Sequence, residues 1–308
     1  MNIPRMKRTL TTGITIWKSR GLLWPVALLL RATACSVKKT ARGLIVEPSQ
    51  GCTGGCIGCS LPEKPSVLEP ETLEAWLGVS PAEPVTIHFS GKHSDPLASP
   101  DIESLAVAAR RHCSMLSIST IGLGMKPGLE QLAVDRWIFS IPAATEKSWI
   151  QLRGNNRLQE AIETINTVRE NSTAMVEVVL TIWKASADDI KPFNALKKTH
   201  SWKHTKVVFG RFDPDGYHFG RLENIAVNSR ECPYSVDENN TLSLKNTPQG
   251  CPLSGYLFLD AQGTLRPCPF TGDESPHLTE PEQNSWKQAG EWVKNKNGRE
   301  YPACRWCP

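Results

Sequence analysis

The chain lacks several features that would assign it to a common class of protein. Its longest apolar run, Leu22–Leu30, has nine residues and includes a proline, so it is too short for a transmembrane helix. Charge is nearly balanced, with 35 basic and 31 acidic residues among 308, and therefore does not indicate nucleic-acid binding. The sequence contains no phosphate-binding loop, no dinucleotide fingerprint, no Ser–His–Asp set and no internal repeat.

The N-terminal segment, residues 1–40, is basic and carries the apolar run between its charges. This arrangement resembles a signal peptide. Export would place the chain's ten cysteines in an oxidising compartment, and so many thiols in a chain of this length are more typical of a reducing cytoplasm. We therefore expect a helical extension and a cytoplasmic, oxygen-poor location. Contact of this extension with a membrane surface stays open.

Strand-like and helix-like segments alternate after residue 40. Six strands are predicted, at Gly43–Val46, Val85–Phe89, Met115–Ser119, Trp137–Ile141, Met175–Trp183 and Lys206–Phe212. Helices are predicted between them, at Glu71–Leu77, Ile102–His112, Gly128–Val134, Leu158–Val168 and Ala187–Leu196. This alternation predicts an α/β fold with a parallel sheet, a partial (β/α)6 TIM-like barrel over residues 41–220. Loops at the carboxyl ends of its strands would then carry the site.

The pattern changes from about residue 220, where prolines and turn residues become frequent. Tyr256–Asp260 and Thr264–Pro267 flank a glycine turn and predict a hairpin. Trp286, Ala289 and Trp292 follow at helical spacing. We therefore expect a second, small α+β domain over residues 221–308.

Three cysteines, Cys52, Cys56 and Cys59, follow the first predicted strand at C-x3-C-x2-C spacing. Three thiolates from one loop hold three irons of a cubic [4Fe–4S] cluster and leave the fourth iron open, whereas structural zinc sites and closed clusters have four protein ligands. An open iron is a place where a small molecule binds. A zinc site and a disulfide framework are the alternatives, although no second cysteine pair follows nearby.

A three-cysteine loop after the first of six βα units resembles the radical S-adenosylmethionine (radical SAM) superfamily, over residues 40–225. The resemblance implies that Cys52, Cys56 and Cys59 hold a SAM-binding [4Fe–4S] cluster. It further implies reductive cleavage of SAM to a 5′-deoxyadenosyl radical, which abstracts a hydrogen atom from the substrate. A reducing partner such as flavodoxin or ferredoxin follows from the same resemblance.

The resemblance also implies SAM contacts at the ends of later strands. The matching positions are Ser90, Gly91, Asp95, Ser119, Ser140, Arg153 and Phe209. The segment that begins at Ser90-Gly91 stands where the family usually has Gly-Gly-Glu-Pro, which binds the SAM amino group, so Asp95 or a carbonyl would serve here. Arg153 would bind the SAM carboxylate. Phe209 lies in the region near the adenine.

Ordinary structural roles compete with these assignments. The alternative for Arg153 is a helix cap at the surface. Asp95 is a common cap of a following segment. Ser119, Thr120 and Ser140 are frequent turn residues.

Four distal cysteines form a second set: Cys251, Cys268, Cys304 and Cys307. Their C-x11-G-x4-C hairpin and terminal C-x2-C resemble the twitch domain, a shortened form of the SPASM domain of some radical SAM enzymes. The resemblance implies a second, auxiliary [4Fe–4S] cluster whose irons are all ligated. A zinc ribbon is the alternative, since the same ligand set suits tetrahedral zinc.

An auxiliary cluster is useful when a substrate radical must lose an electron to become product. The sequence therefore favours oxidation, dehydrogenation or bond formation on a small molecule. The alternative is modification of a peptide or protein, of the kind found in peptide natural products or sulfatase maturation. A non-catalytic iron–sulfur or zinc protein is the third interpretation.

Overall fold

The computed structural model describes residues 24–37, 41–57, 61, 64–91, 94–210, 225–226, 232–236, 242–245, 251, 253, 255–270 and 275–297. The described strands are β1 Gly43–Val46, β2 Thr86–Phe89, β3 Met115–Thr120, β4 Arg136–Ile141, β5 Met175–Ile182, β6 His204–Phe209, β7 Tyr234–Val236, β8 Leu242–Leu244, β9 Tyr256–Leu259 and β10 Leu265–Arg266. The described helices are α1 Trp24–Val37, α2 Pro70–Gly78, α3 Ile102–His112, α4 Glu146–Arg153, α5 Leu158–Asn171, α6 Ile190–Thr199 and α7 Gln283–Asn297.

One sheet organises the fold, with strand order β10-β9-β1-β2-β3-β4-β5-β6. Strands β1 to β6 lie in chain order and every neighbouring pair among them is parallel. The predicted α/β fold is thereby confirmed, with the parallel sheet of a partial TIM-like barrel. Its carboxyl edge collects the loops that follow each strand.

Alternate strand residues bury one face of the sheet beneath the helices. Ile87 and Phe89 on β2 are fully buried there, together with Trp137 and Phe139 on β4, whose rings stack at 6.1 Å. Burying each such side chain stabilises the fold by about 1.5–3 kcal/mol. The other face carries the intervening residues of the same strands, many of them polar, because side chains alternate along a strand.

The C-terminal hairpin β9–β10 joins the main sheet. Strand β9 pairs in parallel with β1, and β10 returns antiparallel to β9. Trp76 of α2 donates its indole N–H to the carbonyl of Gly263 in the hairpin turn at 2.9 Å, and Trp286 of α7 donates to the carbonyl of Trp76 at 2.9 Å. The predicted hairpin is therefore present, tied to α2; the division of the chain at residue 220 stays a prediction.

Two helices differ from expectation. The helix predicted over Gly128–Val134 is a single 3-10 turn, Leu129–Gln131, because Gly128 has a φ of 95° that no α-helix continues. Helix α4 was not predicted, although it has both sequence signals of a helix. Thr145 caps its first turn by accepting from the backbone N–H of Ser148 at 3.2 Å, and Gly154 ends it with a φ of 70°.

Helix α1 lies within the predicted N-terminal extension. Its buried side is anchored by Cys35, which is fully buried. Within the described part of the chain, no helix has the combined length and apolar character needed to cross a bilayer.

Candidate functional site

The cysteine loop lies at the carboxyl edge of the sheet, after β1. Cys52 and Cys56 are half-buried and form no disulfide; Cys59 lies outside the described residues. Burial, and then the nearby Asp95 carboxylate, raise the pKa of Cys52 to about 11, although the backbone N–H of Gly54 donates to its Sγ at 3.2 Å. Without metal this thiol is therefore protonated at neutral pH, and a metal ion must displace its proton.

Arg153 brings a buried cation to the loop. Its side chain, at the C-terminal end of α4, is 8% exposed, and its Nη1 donates to Cys56 Sγ. The guanidinium also lies 5.8 Å from the centre of the Trp149 ring. Its Nε is buried and has no hydrogen-bond partner among the described residues. A buried cation with a free donor is suited to an anionic partner, so this position favours binding over a surface cap.

Gly54 lies at the narrowest point of the loop. A Cβ at this position would meet Ile121 Cδ1 at 2.7 Å, Cys52 Sγ at 3.1 Å and Arg153 Nη1 at 3.3 Å. A side chain at position 54 would therefore require Ile121, the Cys52 sulfur and the Arg153 guanidinium to shift, and glycine avoids this crowding.

Asn155 fastens the cysteine loop to the connection between α4 and α5. Its Nδ2 donates to the carbonyls of Gly54 at 2.9 Å and Arg153 at 3.1 Å. Its Oδ1 accepts from the indole N–H of Trp149 at 3.2 Å. One amide side chain thus links the loop, the Arg153 backbone and a fully buried tryptophan.

Arg157 and Thr53 add a second fastening. Arg157 donates to the carbonyl of Thr53 at 2.8 Å, while its guanidinium makes two bonds of 2.6 Å to the Glu160 carboxylate. These bonds raise the pKa of Arg157 and lower that of Glu160. The Thr53 hydroxyl donates to the carbonyl of Leu123 at 3.2 Å. The loop is held from the β3 side as well as from the α4 side.

Asp95 is buried between the cysteine loop and the end of β3. Its carboxylate accepts from the backbone N–H of Leu97 at 3.0 Å, from the Thr120 hydroxyl at 2.8 Å and from the Ile121 N–H at 2.8 Å. Burial raises the pKa of Asp95 against these bonds. Its own N–H donates to the carbonyl of Gly51 at 3.0 Å. The carboxylate therefore has donors from the chain already and holds two loops together.

Ser90 and Gly91 follow β2 at the same edge. Ser90 is half-buried, and its N–H donates to the carbonyl of Val46 at 2.9 Å. Gly91 is packed against Ser94, whose hydroxyl a Cβ would approach to 1.9 Å. That hydroxyl donates to the buried carboxylate of Glu47 at 3.1 Å. The carbonyls of this segment remain candidates for an amino group.

Ser119 and Ser140 lie on the polar face of neighbouring strands and are half-buried. The Ser140 and Thr181 hydroxyls are 3.3 Å apart, which shows that Ser140 is part of β4 and not of a turn. Phe209 ends β6 and packs against the apolar core and against a small cluster of Ile225, Cys232 and Tyr234. Its half-buried ring lies at the far end of the strand series from the cysteine loop.

The polar face carries a row of charged and hydrogen-bonding side chains that the sequence reasoning did not assemble. His88 Nδ1 and the Ser117 hydroxyl are 2.7 Å apart, on neighbouring strands. Arg136 is next to Ser117 in register and forms an ion pair with Glu177, which is in turn next to His204. Burial, and then the Arg136 cation, lower the pKa of His88 to about 4, so this imidazole is neutral.

The sequence carries a signal for this row, which is the alternation of apolar and polar side chains along the strands. Polar residues fall on one face of β3, β4 and β5: Ser117 and Ser119 are two positions apart in β3, whereas Arg136 and Ser140 in β4, and Glu177 and Thr181 in β5, are four apart with an apolar residue between them on that face. A strand with one apolar and one polar face predicts such a surface. Assigning the polar face to a single surface requires the strand register, which no single strand reveals.

The second cysteine set is only partly described. Cys251 and Cys268 are half-buried and form no disulfide, and the N–H of Leu253 donates to Cys251 Sγ at 3.3 Å. Cys304 and Cys307 lie outside the described residues. Within the described part of the chain, no group of three or more His, Cys, Asp or Glu side chains is placed to hold a metal ion. The auxiliary cluster remains a prediction.

No protein-family model and no curated protein matches this chain, but solved structures match its fold. SuiB from Streptococcus suis bound to S-adenosylmethionine aligns with a TM-score of 0.57 and 14% identity, over 78% of this chain and 63% of that chain. The structure of anSMEcpe with bound AdoMet aligns with a TM-score of 0.59 and 14% identity, over 83% of each chain. The chain has the radical SAM fold. It spans 63% of the SuiB chain.

The radical SAM fold implies a [4Fe–4S] cluster and SAM, and the described residues fit both. Cys52 and Cys56 lie on the loop after β1 and form no disulfide. The buried Arg153 contacts one of them and keeps a free Nε donor, as expected beside a cluster sulfur or a carboxylate. Gly54 leaves room for no side chain there.

Proposed function

We propose that this protein is a radical SAM enzyme, with Cys52, Cys56 and Cys59 as the cysteine ligands of a SAM-binding [4Fe–4S] cluster. The observation that carries the proposal is the buried Arg153 beside Cys56, at the carboxyl edge of a radical SAM fold. A [4Fe–4S] cluster with an open iron supplies, when reduced, the electron that cleaves SAM into methionine and a 5′-deoxyadenosyl radical. Flavodoxin or ferredoxin is the proposed reductant.

The chain's own residues hold SAM in this proposal. Arg153 binds the SAM carboxylate through its free Nε. The carbonyls of Ser90 and Gly91 accept from the amino group. Asp95 acts indirectly, since its carboxylate already accepts from Thr120 and two backbone N–H groups, and it keeps the surrounding loops in position.

Further contacts come from the later strands. Ser119 and Ser140 present hydroxyls on the polar face of the sheet, and Phe209 borders the adenine region. Each of these three is half-buried, which leaves part of its surface accessible to a ligand.

The substrate is proposed to bind against the polar face. His88, Arg136 and Glu177 supply a neutral imidazole and an ion pair there, a surface that favours a substrate with hydrogen-bonding groups over an aliphatic one. We propose oxidation, dehydrogenation or bond formation on a small polar molecule. A second [4Fe–4S] cluster held by Cys251, Cys268, Cys304 and Cys307 would take the electron that the product radical must lose, in a cytoplasmic enzyme.

Peptide modification is the second candidate. It is supported by structures of the same fold in complex with peptides: SuiB bound to precursor peptide SuiA, with a TM-score of 0.56 and 13% identity, and anSMEcpe with AdoMet and Cp18Cys peptide, with 0.59 and 13%. Strand β6 lies at one edge of the sheet among the described residues, and it is the strand that such a peptide would extend.

The test of the first step is anaerobic reconstitution with iron and sulfide, reduction with dithionite, and measurement of 5′-deoxyadenosine from SAM. Cys56→Ala should abolish this product. Cys113→Ala, which changes a buried free cysteine outside the loop, should preserve it. No product from the wild-type protein would leave only the non-catalytic interpretation. Iron content then separates two clusters, at about eight irons, from one cluster and a zinc ion, at about four.

The two substrate classes separate in a stimulation assay. A cell extract is divided into a small-molecule fraction and a peptide fraction, and each is tested for increased 5′-deoxyadenosine formation. A small-molecule substrate predicts stimulation by the first fraction that survives protease treatment. Stimulation by the peptide fraction alone, lost after protease treatment, would support the second candidate instead.

A further inference from the structure

Helix α1 exposes an apolar stripe along its outer side. Val26 is 53% exposed, Leu29 68% and Leu30 65%, and Thr33 is exposed as well. The spacing of these four residues, i, i+3, i+4 and i+7, places them on one face of a helix. Three large apolar side chains in one stripe are a feature that the proposed enzyme chemistry does not use.

The opposite side of α1 is fastened to the body of the protein. Cys35 is fully buried, and its thiol donates to the carbonyl of Glu83 at 3.5 Å. Arg31 forms an ion pair of 2.7 Å with the Glu83 carboxylate. These contacts fix the rotation of the helix about its axis, so the apolar stripe faces away from the body of the protein.

Charge is distributed unevenly along the chain. Nine of the 35 basic residues lie in residues 1–42, where the sequence has no acidic residue. The other 266 residues then hold 26 basic and all 31 acidic residues. A positively charged segment in a chain whose remaining residues are net negative indicates a negatively charged partner for that segment, which includes α1.

We propose that the outer face of α1, made by Val26, Leu29, Leu30 and Thr33, docks on an anionic lipid bilayer. An apolar stripe next to one-signed positive charge is the pattern of helices that lie in a membrane interface. The stripe inserts its side chains at the acyl boundary, and the positive charge of the N-terminal sequence attracts the anionic headgroups. A protein partner of ordinary affinity needs about 800 Å² on each side, which three side chains on a 14-residue helix do not provide.

The test is co-sedimentation of the full-length protein with vesicles of phosphatidylcholine alone, or of phosphatidylcholine with phosphatidylglycerol. Binding to the anionic vesicles should be about tenfold stronger or more, and should weaken as ionic strength rises. Leu29→Glu should lower this binding by roughly tenfold, because a charge replaces an inserted side chain. Leu30→Ser, a milder change at an equally exposed position, should lower it less.

The matched control is Val107→Glu on α3, which places the same charge at an apolar side chain that is 55% exposed on another surface. Its binding should equal that of the wild type. Equal binding to both vesicles, an equal loss in Val107→Glu, or no binding at all would each overturn the proposal. So would a wild-type dimer that Leu29→Glu converts to a monomer, since a second copy would then be the occupant. None of these outcomes bears on SAM cleavage.

Discussion

Asn155 allows the fastening of the cysteine loop to be measured. Asn155→Ala removes two donated bonds, to the carbonyls of Gly54 and Arg153, and one accepted bond, from Trp149. Each such bond contributes about 1 kcal/mol net. The bonds to the Gly54 and Arg153 carbonyls are only partly buried, so water replaces the donor there. The indole N–H of the fully buried Trp149 would lose its acceptor, which costs about 1–3 kcal/mol. We expect a total loss of about 2–3 kcal/mol in the free energy of unfolding.

The assay is urea-induced unfolding of the metal-free protein, monitored through tryptophan fluorescence. Asn155→Asp is the informative second variant, because it keeps an acceptor for Trp149 and removes both donated bonds, of which the one to the Gly54 carbonyl holds the loop. In the reconstituted protein, both variants should lose iron to a chelator faster than the wild type, since the loop that carries Cys52 and Cys56 is less firmly held.

Asn171→Ala is the matched control. Its amide is exposed and makes one bond, to the Thr167 carbonyl at 2.9 Å, so about 0.5 kcal/mol or less should be lost. The reasoning is refuted if Asn155→Ala costs no more than this control. Wild-type chelator resistance in Asn155→Asp would show that the bond to the Gly54 carbonyl does not hold the cysteines.

Three further predictions concern the buried imidazole of His88, the close packing at Gly91 and the proposed cluster ligand Cys268. The pKa of His88 is about 4 in the folded state, against 6.5 in the unfolded chain. Because the unfolded chain takes up the proton first as the pH is lowered, the free energy of unfolding falls between pH 6.5 and pH 4. The loss is up to about 3 kcal/mol. Unfolding at pH 7 and pH 4.5 should show a smaller drop in His88→Gln; an unchanged drop would assign it to other groups. Gly91→Ala should destabilise the protein by about 2 kcal/mol or more, because the added Cβ would contact Ser94. Gly78→Ala is the control: a Cβ there has no atom within 4 Å, so this variant should be neutral or stabilising. Equal melting temperatures of the two variants would contradict this prediction. Cys268→Ala should keep part of SAM cleavage but block product formation, and full product formation would remove the auxiliary cluster from the mechanism.

The strand series was predictable because each strand is a short apolar run with its own boundaries. All six runs became strands, and all six are parallel neighbours in chain order. The α4 helix was missed although Thr145 and Gly154 signalled both its ends, because its residues are not strongly periodic. The Gly128 turn was overestimated as a helix because apolar spacing alone does not report a positive φ.

The site residues also divide into those that the sequence predicted and those that it did not. Cysteine spacing predicted the loop, and the position of Arg153 after the fourth strand predicted a cation near it. The roles of Asn155 and Arg157 were not predictable, because their partners Gly54 and Thr53 lie about a hundred positions earlier. Asp95 was predicted as a ligand contact, yet its surroundings show that the chain itself supplies its donors.

Local chemistry is what the sequence by itself determined: three thiols in one loop, six alternating βα units and a basic N-terminal segment with no acidic residue. These follow from neighbouring residues, whose spacing and propensity act over a few positions. Only the tertiary structure decided which distant groups meet. It brought Arg153 to Cys56, joined His88, Arg136 and Glu177 on one face through the strand register, and turned the stripe of α1 outward. Such contacts depend on how strands align and helices pack, which no short stretch of sequence encodes.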